Sequence, residues 1–153
     1  MTNLLRAVAV AVFAAMLLPA VTQAQMPVRP FHDGPVWDIG IIKGKPGVGL
    51  KYMNWLATDW KTEQEALKKA GLILDYKVIV TETHGTTDWD IMLMTEFKDL
   101  ATMEAQQDKR EEVADKATNS DDKKMIAGYE ERATWREIVG DRLAREIILE
   151  PKK

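Results

Sequence analysis

Residues 72–97 read LILDYKVIVTETHGTTDWDIMLMTEF: two runs in which polar and apolar side chains alternate, joined by the glycine-bearing THGTT. Alternation with a period of two marks a strand whose two faces meet different surroundings. In the first run Leu74, Tyr76, Val78 and Val80 share one face, and Asp75, Lys77, Ile79 and Thr81 the other. In the second, Trp89, Ile91, Leu93 and Phe97 oppose Asp90, Met92, Met94 and Glu96. A short loop with Gly85 available for a positive φ closes such runs into an antiparallel hairpin. A lone hairpin is marginal in water, so the flanking chain must add strands or helices to it.

Both flanks do so. VWDIGIIK (36–43) alternates, with Trp37, Ile39 and Ile41 against Asp38 and Gly40, and reads as a first strand. GKPGVG (44–49) ends it, and the spacing becomes helical: Leu50, Met53, Ala57, Trp60, Gln64 and Leu67 form a stripe that stops at Gly71, with Trp55 off the stripe. After the hairpin, residues 99–117 read as helix with a thin apolar set, Leu100, Met103, Val113 and Ala114. TNSDDKK interrupts it, and Ser120 or Asn119 can cap a further helix carrying Met125, Ile126, Tyr129 and Ala133. VGD (139–141) then turns the chain into a last strand, RLAREIIL (142–149), while TWREIV reads equally as helix or as strand.

The order β-α-β-β-α-(α)-β is the ferredoxin-like split βαβ arrangement, an α+β fold with a four-stranded antiparallel sheet and helices on one face. The other face must meet water, a ligand or a second subunit. Asp38, Asp75, Lys77, Asp90 and Glu96, with Met92 and Met94, are expected there, joined by Arg145 or Glu146. If a second subunit covers that face, these charges have to pair, because an unpaired buried charge costs several kcal/mol.

The first 24 residues stand outside this argument. They carry one early positive charge at Arg6, an apolar run from Ala7 to Leu18, Pro19, and small residues at Thr22 and Ala24, the layout of a cleavable secretory signal. The run is shorter than the ~20 residues that cross a bilayer, so no membrane association is expected after cleavage, and the localisation it predicts is periplasmic or secreted. Residues 25–35 hold three prolines and a glycine and read as an extended arm; residues 36–153 read as one domain. Loss of Arg6 moves the formal charge from −3 to −4, with signs mixed along the chain, which lacks the basic footprint of a nucleic-acid binder. There is no cysteine, which excludes thiol chemistry and thiolate metal sites.

The run IIKGKPGVGLKYMNWL, with its Lys45-Pro46-Gly47 turn between strand and helix, resembles the strand-to-helix junction of the dimeric α/β-barrel superfamily, in its antibiotic-biosynthesis-monooxygenase-like branch. The likeness extends to the element order over most of residues 25–153 and is nearest to an exported bacterial subgroup of unassigned function. It implies a homodimer whose sheets pack face to face, with a pocket in each subunit between sheet and helices. The members of that superfamily include cofactor-independent oxygenases, haem-degrading enzymes, isomerases, dehalogenation-type lyases and stress proteins without known chemistry; for this chain no cofactor is expected.

Inventory narrows the chemistry. Gly44 and Gly49 have the spacing of a phosphate-binding loop, but Leu50 and Lys51 follow where Lys and a hydroxyl residue are required. Ser120 is the one serine and lies in a cap-like context among acids, so a serine hydrolase is not expected. The two histidines, His32 and His84, lack the spacing of a helical ligand pair, and no metal is expected. Two functions remain. One is an exported binding or stress-related protein holding a small apolar or aromatic ligand among Trp37, Trp55, Tyr76 and Trp89. The other is a cofactor-independent oxygenase or isomerase in which Asp90 or Asp38 takes a proton and His84 or Tyr52 steadies the resulting anion.

Overall fold

The computed structural model describes residues 29–82, 85 and 88–150. The signal segment, the first part of the arm and His84 lie outside the described residues. Strand β1 is Phe31–Gly44. Helix α1, Gly49–Trp55, runs through a π-helical turn, Leu56–Trp60, into α2, Lys61–Lys69. Strands β2, Asp75–Val80, and β3, Ile91–Phe97, follow. Then come α3, Leu100–Ala105, α4, Gln107–Thr118, α5, Asp122–Ala133, and β4, Arg136–Leu149. The sheet order is β2-β3-β1-β4 with every neighbour antiparallel, which is the ferredoxin-like arrangement. No helix among the described residues is long and apolar enough to cross a membrane.

Strand register decides which residues face the helices. Ile42 pairs with Ile91, Gly40 with Leu93, Asp38 with Thr95 and Val36 with Phe97. Ile42, Ile91 and Leu93 pack against Tyr52, Leu56 and Trp60, so Val36, Asp38, Gly40 and Ile42 form the covered face of β1. This reverses the sequence expectation: Asp38 lies under the helices, and Trp37, Ile39 and Ile41 look out from the open face. Alternation separates two faces without saying which is inward, and the bulkier set is here the outer one. Asp75, Lys77, Met92, Met94 and Glu96 do stand on the open face, as expected.

Helix phase is corrected as well. The buried residues are Tyr52, Leu56, Trp60, Gln64 and Leu67, whereas Leu50 is 80% exposed and Met53 and Ala57 face solvent. A π turn inserts one residue into the helix and rotates everything before it by about 100°. Stepping back from Trp60 with α-helical spacing therefore reaches Ala57 and Met53. The inserted residue moves that stripe one place, to Leu56 and Tyr52.

Both ends of the sheet run longer than their patterns suggested. Part of the expected arm is strand, since Phe31 pairs with Leu149 and Asp33 with Ile147. The segment left open becomes strand from Arg136 onward, and VGD makes no turn: Ile41 pairs with Gly140 and Ile42 with Ile138, so Val139 is the extra residue of a β-bulge. Strand β3 starts at Ile91, which leaves Trp89 and Asp90 in the connection before it. Asp121 caps α5 by accepting the Lys124 N–H at 2.8 Å, in place of Ser120 or Asn119; Asn119 adopts φ 48° behind α4. The apolar set on α5 is exposed, with Tyr129 at 53%.

Candidate functional site

A groove runs between the sheet and the helical layer in two chambers that share Glu63, Glu111 and Ala114 as their common wall. The first, about 420 Å³, lies over the sheet and is lined by Asp38, Trp60, Gln64, Thr95, Phe97 and Arg110 among others. The second, about 540 Å³, opens between the π turn, α4 and α5, with Trp55, Arg132 and Trp135 on its wall.

The first chamber owes its polarity to the reversed face of β1. Asp38 keeps solvent access along the groove, yet the surrounding walls strip much of its hydration and push its carboxyl above the ordinary range; Asp141 adds to this and Arg110 opposes it. Arg110 is itself held down by burial and binds the Met103 carbonyl. Buried Gln64 accepts a hydrogen bond from Thr95 Oγ1 at 3.2 Å, and Trp60 meets Tyr76 edge-on at 5.4 Å. Glu63, on the shared wall, is pushed up by burial. A carboxyl above its ordinary value is protonated in both folded and unfolded chains at low pH and is a poorly held charge in the folded chain at neutral pH. Asp38→Asn is therefore expected to raise the melting temperature at pH 7, and the gain should vanish as pH falls to about 3. Thermal unfolding at both pH values checks this; an equal gain at both would leave no role for the carboxyl's charge.

Beside the second chamber the rings and guanidinium groups interleave. Tyr52 stacks on Trp55 at 5.7 Å and 11°. Arg132 lies 4.5 Å from the Trp55 ring and 5.3 Å from the Tyr129 ring. Arg136 lies 5.4 Å from the Tyr52 ring and 5.6 Å from that of Tyr129. Burial raises the Tyr52 phenol, while Arg136 and Arg132 act to lower it. Lys45, from the Lys-Pro-Gly turn, holds the end of α5: its Nζ donates to the Ala133 carbonyl at 2.7 Å and its backbone N–H to that of Trp135 at 2.8 Å.

The structure distributes the residues singled out from sequence. Tyr52 and Trp55 meet in this ring cluster. Asp90 is near enough to Tyr52 to influence its phenol, but both carboxylate oxygens accept from the Gly44 N–H, at 2.9 and 3.0 Å, and tie the end of β1 to the start of β3. A Cβ at Gly44 would meet Asp90 Oδ2 at 3.0 Å, so a larger residue there would have to push the carboxylate back by a few tenths of an ångström. Tyr76 donates its phenol hydrogen to Glu65, which pushes its pKa up to about 12. Trp37 stands on the open face beneath Lys77, whose Nζ is 4.7 Å from the ring, and points away from the groove. Trp89 lies in the connection before β3, where its carbonyl accepts from Thr81 Oγ1. Arg110, Arg132 and Arg136 were not singled out. The available signal was the spacing of Tyr129, Arg132 and Arg136, which sets two cations on the apolar side of a helix end.

No protein-family model matches the chain, and no curated protein does. Among solved structures, HapK from Hahella chejuensis is similar over 72% of this chain and 91% of its own, at 10% identity and a TM-score of 0.47. A dimeric protein of unknown function and ferredoxin-like fold from Bacteroides fragilis is similar over 77% of this chain and 99% of its own, at 20% identity and a TM-score of 0.43.

Proposed function

We propose that this protein is an exported homodimer that binds a small apolar or aromatic molecule in the groove between sheet and helices. The observation that supports the reading is the groove itself. Two joined chambers of about 420 and 540 Å³ are of the size that takes small molecules, and they carry aromatic walls with a few convergent polar groups. The open sheet face supports the dimer. Ile39, Ile41, Ile79, Met92 and Met94 share it with Lys77 and Arg142 on one sign and Glu96 and Glu146 on the other. A two-fold axis through that face would bring each patch against its own copy, where opposite charges can pair.

A second reading, a cofactor-independent oxygenase or isomerase, draws support from Asp38. Its raised carboxyl, set in the sheet-side chamber and faced by Arg110, fits a proton acceptor better than Asp90, whose oxygens are engaged by Gly44.

Native mass spectrometry of the mature protein, purified from the exported fraction of its own host, tests the binding reading. The expected spectrum is a dimer with a defined added mass. Ala114→Trp, which places a large ring on the wall between the chambers, should keep the dimer and lose the added mass. A monomer would overturn the dimer, and a variant that retains the same mass would remove the ligand from the groove.

A further inference from the structure

One polar side chain in the first chamber stands where a core residue is expected. Gln64 lies on the inward stripe of α2, between Trp60 and Leu67, and is 4% exposed; tyrosine and tryptophan aside, it is the one polar or charged side chain buried among the described residues. Its carbonyl is engaged, since Thr95 Oγ1 donates to it at 3.2 Å. Its amide NH2 has no hydrogen-bond partner among the described residues, and Nε2 keeps some accessible surface, unlike the fully shielded Tyr52 Oη. Because Gln64 lines the first chamber, these two donors face it. A buried donor without an acceptor carries a cost that Leu or Met, equally able to fill the stripe, would avoid.

Acceptors lie beside it. Asp38 is the cross-strand partner of Thr95, which sets its carboxylate next to the Thr95 hydroxyl on the covered face. The hydrogen of that hydroxyl is taken up by Gln64, so lone pairs remain, and Asp38 forms no ion pair among the described residues. Arg110 is committed elsewhere, to the Met103 carbonyl and to the Phe97 ring, 5.0 Å away. The floor of the chamber thus offers a donor next to acceptors, with Trp60, Leu67 and Phe97 around them.

We infer that Gln64 and Asp38 bind a neutral carboxamide or lactam on the groove's occupant: Gln64 Nε2 donates to its carbonyl oxygen, and its N–H donates to the Asp38 carboxylate. This rests on the small-molecule reading above and adds the chemical class. Charge favours the neutral group from both sides. Asp38, Glu63 and Glu111 outnumber Arg110 on the lining, which disfavours a carboxylate. An amidinium cation carries donors alone and would turn N–H groups towards the Gln64 NH2. A ketone satisfies Gln64 and leaves Asp38 unpaired, and a hydrocarbon satisfies neither.

The probe is benzamide, titrated into the mature protein and followed by nitrogen-edited NMR, with toluene, acetophenone, benzoate and benzamidine as comparisons. Saturable benzamide binding is expected to shift the side-chain NH2 pair of Gln64, identified by its nuclear Overhauser contact with the Thr95 methyl group. Toluene, benzoate and benzamidine should each bind at least about tenfold more weakly than benzamide, with acetophenone in between. Gln64→Met, which keeps the volume and removes the amide, should weaken benzamide about tenfold and leave toluene unchanged, whereas a glutamine that only holds Thr95 in place would move both together or neither. If that variant does not fold, the shift of the Gln64 pair in the parent protein decides. An unmoved Gln64 pair at benzamide saturation, or any comparison compound binding as tightly as benzamide, would overturn the assignment. Toluene as tight as benzamide would do so while leaving the groove as an apolar binding site, and failure of both to bind would overturn the groove reading as well.

Discussion

Insertion of one alanine after Ala57 is expected to unfold the helix-to-sheet contact from one end. The π turn already takes up one extra residue, so a second one rotates the first two turns of the helix by about 100°. Tyr52 and Leu56 would leave the core, and Met53 and Ala57 would turn towards it. Tyr52 is fully buried and Leu56 is 4% exposed, so the loss should reach at least about 3 kcal/mol, the scale of emptying one large core site. Chemical denaturation measures the loss. Ala57→Ser, which keeps the chain length at an exposed position, is the control and should stay within about 0.5 kcal/mol of the parent. An insertion variant as stable as that control would show that the phase is held by something other than the turn.

Trp60→Ala should be as severe. Trp60 is 8% exposed, belongs to the core around Ile42, Leu56 and Ile91, and meets Tyr76 edge-on. Truncating it removes a large ring where four elements meet, at a cost of about 3–5 kcal/mol. In urea the midpoint should fall while the slope of the transition stays near its parent value, because the loss lies in the native packing and not in the denatured chain. A slope that falls together with the midpoint would show that the denatured chain, and not the native packing alone, has changed.

The central hairpin and the order of elements were legible because strand and helix periods differ and because two alternating runs flank a short glycine loop. What stayed hidden depends on single-residue offsets. One inserted residue in the π turn exchanges Met53 for Tyr52 as the inward side chain, and the bulge residue Val139 sits in a stretch that reads as a turn. The residue type of Asp38 suits a base, yet its position under the helices follows from register with Thr95, a pairing distant in sequence. The arginine cluster joins the helix start at Tyr52 to the end of α5, and only tertiary contact makes that pair. Local pattern therefore carried the architecture and missed the side-chain partners that give the groove its chemistry.

The pairing of β1 with β4 also sets the order of folding. Phe31 and Leu149 are partners at opposite ends of the described chain, so β1 lacks one neighbour until nearly all of the polypeptide is available. The β2–β3 hairpin and the helices can form early, from contacts close in sequence. Closing the sheet means bringing together segments separated by almost the full chain, and the entropy of that loop makes high contact order the brake on folding. The chain is thus kept from premature completion, with the groove and the open sheet face assembled only when its final strand docks.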